Sequence, residues 1–399
     1  MVSTFHGLEL GKRGLAVTQA NITTTGQNIA NANTKGYSRQ QVNSSASPSL
    51  DIWTANGTGQ LGTGVSLDSI TRVRDRFLDS QYRDQASNLG KAAIEQDTYD
   101  RLEMAVNEPS DTGLRSAMDQ VEAARQDLAN DPDSPAAKAV LKERAAAFLD
   151  TAKSMNKSMD NIKGDLNLQL DESVAQANDY LKQIAELNKS IKANGSQSND
   201  LKDKRDVLVE ELAKLLPIEV KEVGGMYTIK SNGASLVDNT TPPAELTAAS
   251  ITKDTGGKLG GIVQSLENVG TVKGQLETMV SQFQAETGDL ISGDGIDNMS
   301  VNPNFTDLTS TAPAGSSAKG LFQSLVSELG AKSQASQNTL ANNEAALLAT
   351  DSRRQSVTGV SLDEEMANLI MYQHSYSAAA RLVSMTDQML DTIINRMAN

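Results

Sequence analysis

The chain has 399 residues, a formal net charge of -14, 38% hydrophobic residues, 4% aromatic residues and no cysteine. Proteins that neutralise nucleic-acid phosphates need a clustered basic surface, and this acidic chain shows none. The lack of cysteine excludes thiol catalysis, thiolate metal sites and disulfides. No apolar run approaches the ~18 residues of a membrane span. The N-terminus, MVSTFHGLEL, lacks the basic start and apolar centre of a signal peptide. We therefore expect no membrane insertion and, if the chain is exported, a route without a cleaved signal.

The first predicted helix spans residues 4–32, where large apolar residues recur every seven positions. The large row consists of Leu8, Leu15, Ile22 and Ile29, and a second row of mostly small residues consists of Thr4, Gly11, Thr18, Thr25 and Ala32. The small row allows a neighbouring helix to approach closely, but each helical glycine lowers stability by up to ~1 kcal/mol relative to alanine. We expect this helix to gain most of its order from a packing partner. A stop and turn are predicted at Asn31, Asn33 and Gly36.

Residues 41–83 contain short β-prone segments separated by glycines. The sequence GTGQLG at 57–62 matches the spacing of a dinucleotide-binding fingerprint, which requires a helix to begin on its glycines. The β-prone sequence TGVSLDSITRV follows instead. We interpret the glycines as a turn between strands.

Residues from about 84 to 216 have the spacing of several helices, with breaks at 108–111 and 131–135. Ser134 is a predicted N-cap and Pro135 the first residue of a helix that extends to about 193. Two consecutive steps of four between residues 166 and 174 interrupt its four-three spacing, which indicates a slightly unwound coiled coil. Met155 and Met159 lie at its apolar positions, so we assign them to core packing rather than to a metal site.

Residues 218–247 alternate with a period near two, and Gly224–Gly225 and Asn232–Gly233 predict two hairpin turns. The acidic segment 292–307 lacks the spacing of an EF-hand, so we interpret it as a turn-rich connector rather than a calcium site. A further helix is predicted from about 316 to 357, ending at Gly359.

The last 39 residues, from Ser361, contain no glycine or proline and predict one long helix. Ser361 and Glu364 have the spacing of a capping box. Mostly apolar residues follow at alternating steps of four and three, which is typical of a coiled coil. These positions are Leu362, Met366, Leu369, Gln373, Tyr376, Ala380, Val383, Asp387, Leu390, Ile394 and Met397. We expect the N-terminal helix to be the partner of this seam, with neighbouring subunits covering the remainder.

The sequence contains few candidates for catalytic or metal-binding residues. His6 and His374 lie in the predicted terminal helices, and neither belongs to a set of Ser, Asp or Glu with assignable roles. We predict no catalytic residue, no cofactor, no metal site and no enzymatic activity.

Three stretches resemble a known family. TTTGQNIANANTKGYSRQ, at 23–40, is similar to the N-terminal signature of flagellar axial proteins, although Lys35 stands where many of them have proline. Its GYSRQ ending, together with SITRVRDRFLDSQYRDQASNLG at 69–90, resembles the hook-associated protein 1 family. The C-terminal EEMANLIMYQHSYSAAARLVSMTDQMLDTIIN resembles the same family.

This resemblance implies a structural adaptor at the junction between the flagellar hook and filament. It implies export through the flagellar type III apparatus to the outside of the cell. The implied partners are copies of the chain itself, the hook protein, hook-associated protein 3 and an export chaperone bound to the C-terminal helix. It implies neither a nucleic-acid partner nor membrane insertion. Two alternatives remain: another axial protein, such as hook-associated protein 3 or a flagellin, and a secreted hydrolase with a catalytic insert in 218–317.

The predicted fold is mainly α. Residues 1–40 and 360–399 are expected to form an antiparallel coiled coil that mediates polymerisation. Residues 41–217 and 316–359 are expected to form a helical domain, and 218–315 a small β-containing outer excursion with a return helix. We also expect both chain ends to be largely disordered in the free monomer, because they need partners to fold.

Overall fold

The computed structural model describes residues 5–392, apart from 55–56, 108–109, 111–112, 196–197, 239–242, 307 and 311–316. Helices dominate this part of the chain, and the strands are short and antiparallel. The helices are α1 His6–Ala30, α2 Arg76–Val106, α3 Leu114–Asn130, α4 Pro135–Asn194, α5 Asn199–Leu215, α6 Gly257–Glu286, α7 Ala318–Thr358 and α8 Leu362–Asp391. The strands are β1 Gln40–Ala46, β2 Leu50–Thr54, β3 Gly57–Leu61, β4 Val65–Arg72, β5 Glu219–Val223, β6 Met226–Ser231, β7 Ala234–Val237, β8 Ile291–Ser292 and β9 Ser300–Val301.

The two chain ends pair as antiparallel helices, as predicted. A Cβ atom placed on Gly7 would lie 3.1 Å from Thr386 Oγ1, and one on Gly14 would lie 3.6 Å from Ala379 Cβ. The N-terminal end of α1 therefore lies beside the C-terminal end of α8. Ser361 Oγ accepts a hydrogen bond from the backbone N–H of Glu364, which forms one half of the predicted capping box.

The helical domain is built around α4, a helix of 60 residues and thus about 90 Å long. Its start matches the prediction, because Ser134 accepts a hydrogen bond from the N–H of Ala137 and Pro135 occupies the first turn. Its end at Asn194 lies within a residue of the predicted position. Met155 and Met159 are buried in the core, which confirms their packing role.

Helices α2, α3, α5, α6 and α7 complete this core. The rings of Phe148 on α4 and Phe283 on α6 lie 4.3 Å apart at 44°, so the return helix belongs to the same hydrophobic cluster as α4. Helix α2 begins at Arg76, eight residues before the predicted start of the helical region, because the side chain of Asp75 caps it by accepting from the N–H groups of Phe77 and Leu78. Gly359 follows the last residue of α7, as predicted.

The β segments form small separate sheets. Strands β1 and β4 pair with each other, and β2 pairs with β3. The prediction of a glycine turn at 57–62 is wrong in its position, because Gly57–Leu61 form strand β3, which pairs with β2 from Gly57 onwards. Strand β4 follows, so no helix begins on these glycines, as a dinucleotide-binding fingerprint would require. Strands β5, β6 and β7 form a meander whose turns fall at the two predicted glycine positions, with positive φ angles at Gly224, Gly225, Asn232 and Gly233.

Candidate assembly site where the terminal helices meet the helical domain

The predicted seam residues of the terminal helices occupy different environments. Half-buried positions are Leu8, Leu15, Ile22, Ile29, Leu369, Val383 and Leu390, whereas Leu362, Met366 and Tyr376 are exposed. Ile394 lies outside the described residues, as do Thr4 and Met397. The predicted seam of α8 thus lies only partly on the side that faces α1.

Small residues bring α1 and α8 together. A Cβ atom on Gly11 would lie 2.6 Å from Val383 Cγ2, closer than side-chain carbon atoms pack, so glycine is required for this approach. Thr386 is 6% exposed and fills the space beside Gly7. The predicted small row therefore includes the point of closest contact with α8.

The other side of α8 carries a set of exposed apolar side chains, which we call the free face. Its members with the largest exposed fractions are Met366 (51%), Ile370 (53%), Met371 (52%), Met385 (59%) and Met389 (55%). Several large apolar side chains exposed on one side of a helix indicate a surface that contacts another protein. The helix thus presents apolar residues on two sides, of which α1 covers one.

Asn28, at the C-terminal end of α1, anchors the helix pair to strand β1. Its side chain is 2% exposed. Asn28 Nδ2 donates to Gln40 O at 2.9 Å and to Glu365 Oε2 at 3.2 Å. Asn28 Oδ1 accepts from Tyr37 Oη at 2.8 Å and from Gln40 N at 2.9 Å. All four hydrogen-bonding positions of the amide are therefore satisfied.

Glu365, in the first turn of α8, is the buried acid of this cluster. Its side chain is 3% exposed and accepts from Arg39 Nε at 2.8 Å. Arg39 also donates its backbone N–H to Thr358 O at the end of α7, 3.0 Å away. A buried carboxylate requires such partners. The segment after α1 thus fixes both the end of α7 and the start of α8.

Tyr37 and Ser38 link this cluster to helix α5. Burial, followed by the charges of Asp203, Asp200 and Glu365, raises the pKa of Tyr37 to about 12, so its hydroxyl stays protonated and donates to Asn28. Ser38 Oγ donates to Asp203 Oδ1 at 2.8 Å, and its backbone N–H donates to Asp203 Oδ2 at 3.2 Å.

Two arginines at the end of β4 connect the same region to α5. Arg72 Nη1 lies 2.7 Å from Asp203 Oδ1 and 2.6 Å from Asp206 Oδ2. Arg74 lies 2.5 Å from Asp206 Oδ2 and 2.8 Å from Asp79 Oδ1. The four side chains of Arg72, Arg74, Asp203 and Asp206 are each at most 14% exposed. This is a buried ion network rather than a surface salt bridge.

The pKa values of the two α5 carboxyls shift in opposite directions. Burial by itself raises the pKa of Asp206, but Arg74 and Arg72 outweigh that effect and the pKa is lowered. Burial raises the pKa of Asp203 even though Arg72 and Ser38 oppose it. Asp206 therefore carries the firmly held negative charge of the network, with Tyr227 Oη donating to its Oδ1 at 2.7 Å.

Helix α7 also contributes an arginine to the network. Arg354 pairs with Glu210 on α5 and lies 2.9 Å from Asp351 Oδ1, and its guanidinium carbon lies 3.9 Å from the centre of the Tyr82 ring. The network is thus shared by β4, α2, α5 and α7. We call the Asn28 cluster and this ion network together the joint.

The turn before the joint depends on Gly36. Its φ angle is +79°, and a Cβ atom at this position would lie 2.1 Å from Val207 Cγ2. The predicted turn is confirmed, and the contact with α5 explains why a glycine occupies it. Lys35 Nζ lies 3.1 Å from Glu211 Oε1, so the residue that stands where many axial proteins have proline forms a salt bridge to α5.

Sequence reasoning identified the turn but missed the side chains that hold the joint. Asn28, Glu365 and Asp206 lie in segments whose local signals indicate only helix, and their partners are far away in sequence. The one available signal was the presence of polar residues on helical faces predicted to be buried.

Residues that could bind a metal ion do not cluster in the part of the chain that the structure describes. There, no group of three or more His, Asp or Glu residues could hold a metal ion. Asp297 accepts hydrogen bonds from Asn156 Nδ2, whereas Asp307 lies outside the described residues. Residues 218–317, where the hydrolase alternative requires a catalytic insert, contribute a three-stranded sheet and the core helix α6. No described helix is long and apolar enough to cross a bilayer.

Terminal helices that pair antiparallel beside a helical domain are the arrangement of a flagellar axial structural component. Comparison with known proteins supports this class. Residues 99–297 match the family model described as "Flagellar hook-associated protein FlgK helical domain", and residues 353–397 match "Flagellar basal body rod FlgEFG protein C-terminal". The chain belongs to the flagellar hook-associated protein 1 (FlgK) family.

Two curated relatives and one solved structure are similar to this chain. Flagellar hook-associated protein 1 of Bacillus subtilis (strain 168) is 29% identical, in an alignment that covers 100% of this chain and 99% of the relative. The protein of the same name from Escherichia coli (strain K12) is 28% identical over 66% of this chain and 53% of the relative. The solved structure of the flagellar hook junction protein FlgK from Burkholderia pseudomallei has a TM-score of 0.46 and 22% identity, and the match covers 53% of this chain and 44% of that one.

Proposed function

We propose that this chain is the adaptor subunit between the flagellar hook and filament and that copies of it assemble through their terminal helices. The free face of α8 is the observation that carries the proposal. Met385 and Met389 are each more than half exposed, on a helix that already packs against α1 through another side. Apolar surface of this kind is stabilised when neighbouring helices remove it from water.

The residues that we assign to this assembly comprise both the half-buried and the exposed positions of the predicted seam. They are Leu8, Leu15, Ile22, Ile29, Leu362, Met366, Leu369, Tyr376, Val383, Leu390 and Ile394. Half-buried members complete the α1–α8 pair, and exposed members meet neighbouring copies.

We propose the hook protein and hook-associated protein 3 as the axial neighbours, and an export chaperone as the partner of the C-terminal helix before secretion. The working location is the extracellular flagellum. We infer a structural role without catalysis, cofactor, nucleic acid or membrane insertion, and family membership is what supports this role.

The proposed division of the chain follows the same role. Residues 1–40 and 360–399 form the inner polymerisation domain, 41–217 and 316–359 the helical domain, and 218–315 the β-containing excursion with its return helix. We further infer that the part of the inner domain away from the Asn28 cluster becomes ordered on assembly, since few of its residues are buried in a single copy. Amide hydrogen exchange on the monomer measures this directly, and strong protection across residues 366–391 contradicts it.

Deletion of the gene tests the proposed function. Without the adaptor, hooks are completed but filaments do not attach, so monomeric filament protein accumulates in the medium. Electron microscopy of the cells and immunoblotting of the medium distinguish this outcome from its alternatives. Incomplete hooks point instead to an earlier axial role, and normal filaments contradict the proposal.

A further inference from the structure

The chain's one tryptophan, Trp53, stands at the far end of strand β2 and is 88% exposed. Tryptophan is enriched among residues that dominate binding energies, and a fully exposed one is unusual on a free surface. The hairpin formed by β2 and β3 thus presents a large aromatic side chain to solvent.

The hairpin does not use Trp53 for its own stability. The residue opposite Trp53 on β3 is the small, exposed Thr58, and the indole remains 88% exposed despite this neighbour. Among the described strands, β2 and β3 pair only with each other. Isolated two-stranded hairpins are marginally stable in water, so a partner for this one would stabilise it.

The hairpin projects from the terminal-helix pair. Leu50 and Pro48, at its base, line a recess together with Phe5 and His6 at the start of α1. Trp53 follows Leu50 by three residues, or roughly 10 Å along an extended strand. The strand carries the indole away from the base, so Trp53 cannot fill the recess of its own subunit.

The recess at the base is suited to an indole ring. Its volume is about 480 Å³, and its lining combines the apolar Phe5, Pro48 and Leu50 with Glu9 and Arg13. A guanidinium binds favourably over the face of a tryptophan ring. A carboxylate such as that of Glu9 accepts a hydrogen bond from the indole N–H. Asp51, two residues before Trp53, lies on the same face of β2 and brings a negative charge towards Arg13.

We propose that Trp53 of one copy docks in the recess formed by Phe5, Glu9, Arg13, Pro48 and Leu50 of a neighbouring copy of this chain. A projection and a recess at different places on one chain generate a head-to-tail contact that repeats around an axis. The contact continues the surface of the α1–α8 pair, because the recess includes the start of α1. This inference deepens the proposed function and rests on copies assembling side by side.

Fluorescence tests the burial of Trp53 without any substitution, because no other residue of the chain contributes indole emission. In the monomer the emission is expected to be that of a water-exposed indole and open to quenching by acrylamide. Once the unlabelled chain is added to purified hooks and excess monomer is washed away, the emission is expected to shift to shorter wavelength, with quenching reduced several-fold. The hook contribution is subtracted with hooks alone. Unchanged emission from the incorporated chain overturns the proposal.

Cross-linking identifies the occupant of the recess. The chain has no cysteine, so Thr58→Cys, opposite Trp53 on β3, in one population and His6→Cys, in the lining of the recess, in another give single reactive sites and keep the indole in place. When both populations are incorporated together on hooks and oxidised, a dimer of the chain is expected. The matched control replaces His6→Cys with Gln19→Cys, an exposed site on α1 about 20 Å further along, and is expected to give no dimer.

The outcomes separate this proposal from the proposed function. If the unaltered chain does not bind to hook tips, the proposed function fails. If both cysteine variants are incorporated normally and no dimer forms, the docking proposal fails while the proposed function stands. Trp53→Ala is expected to weaken incorporation about thirtyfold, whereas Leu67→Ala, an exposed apolar residue on β4, is expected to leave it unchanged. Equal incorporation of Trp53→Ala and the unaltered chain also overturns the proposal.

Discussion

Asn28 Nδ2 donates a hydrogen bond to Glu365 Oε2 across 3.2 Å, although 337 residues separate the two positions in sequence. The contact joins the end of α1 to the first turn of α8 at a point where both side chains are buried. Because Asn28 also bonds to both backbone groups of Gln40, the same amide aligns strand β1 with the helix pair. One side chain therefore determines how the two chain ends meet the rest of the molecule.

Replacement of Asn28 by alanine is expected to loosen this junction. Asn28→Ala leaves Tyr37 Oη, Glu365 and the polar groups of Gln40 short of partners, at a cost of about 2–4 kcal/mol in the free energy of unfolding. Limited proteolysis should show faster cleavage near the start of α8. Asn31→Ala is the control, because Asn31 Nδ2 donates to Gln27 O and Asn31 Oδ1 accepts from Thr34 Oγ1, both in exposed bonds at the end of α1, so that the loss is expected to stay below about 1 kcal/mol. Equal effects of the two variants would contradict the role assigned to Asn28.

Local sequence signals predicted the helices of this fold but not the contacts that orient them. Ser134 and Pro135 mark the start of α4, and Ser361 marks the start of α8, because a cap acts on the backbone a few residues away. The contacts of Asn28 depend on residues brought together from distant segments, so no spacing in the sequence records them. Such contacts can be read only from the folded chain.

The packing of α8 shows a second limit of sequence reasoning. The heptad pattern selected large residues, and Met366 lies on that pattern but is exposed. A close contact with α1 joins Val383 of this pattern to Gly11 of the predicted small row, where the absence of a side chain allows the helices to approach. A helix that is apolar on two sides has two possible seams, and a periodicity alone does not say which one an intramolecular partner occupies.

Gly36 is expected to tolerate no side chain, for two separable reasons. Gly36→Ala places a methyl group in a left-handed backbone conformation and against Val207, for a combined destabilisation of about 2–5 kcal/mol. The double variant Gly36→Ala with Val207→Ala removes the steric overlap but keeps the backbone strain, so it should recover part of the loss beyond the effect of Val207→Ala alone. Chemical denaturation of the four proteins in this cycle measures the coupling.

The control for this cycle is Gly26→Ala. A Cβ atom at Gly26 meets no atom within 4 Å, and the residue lies inside α1. Alanine should therefore stabilise the helix by up to about 1 kcal/mol. If Val207→Ala gives no recovery in the double variant, the close contact is not the cause of the loss.

Asp206→Asn is expected to destabilise the helical domain strongly. The substitution removes the negative charge shared by Arg72 and Arg74 and leaves two buried guanidinium groups undercompensated, which typically costs about 3–5 kcal/mol. Glu211→Gln is the matched control, since its partners Lys35 and Lys214 are 81% and 43% exposed and the loss should stay below about 1 kcal/mol. Urea unfolding at pH 7 compares the two. A small effect at Asp206 would show that the network is not held by charge.

The direction in which Asp206 changes the stability of the fold at low pH follows from its pKa shift. Its pKa in the folded chain is lowered by Arg74 and Arg72 despite burial. The carboxyl therefore contributes stability above its unfolded pKa of about 4, and this stability is lost as the pH falls through the lower folded value. Asp206→Asn should lack this part of the acid destabilisation. Urea unfolding repeated between pH 6 and pH 3 tests the difference.

Tyr227 is expected to make the fold sensitive to alkali. Burial, followed by the charge of Asp206, raises its pKa from 10.0 to about 12. Tyr227 contributes fully to the free energy of unfolding below its pKa in the unfolded chain, and this contribution is lost as the pH rises towards its pKa in the folded chain. We expect the free energy of unfolding to fall by on the order of 2 kcal/mol between about pH 10 and pH 12. Tyr227→Phe should reduce this decline, measured by denaturant unfolding at pH 9 and pH 11.5. Tyr180→Phe is the control, because Tyr180 bonds to the exposed Gln176 on its own helix.

Met385→Asp is expected to block assembly while leaving the folding of the monomer unchanged. Met385 is 59% exposed on the free face, so an aspartate there remains hydrated in the monomer and should change its free energy of unfolding by no more than about 0.5 kcal/mol. In the assembled junction the same charge lies between apolar helices, and incorporation at the hook tip should fail.

Leu369→Asp, at a half-buried position, should block incorporation as well but also weaken the α1–α8 pair. Met385→Leu keeps an apolar side chain at the same position, so it serves as the control and should be incorporated normally. Circular dichroism of the monomers and immunoelectron microscopy of hook tips supply both measurements, and normal incorporation of Met385→Asp would remove the free face from the assembly surface.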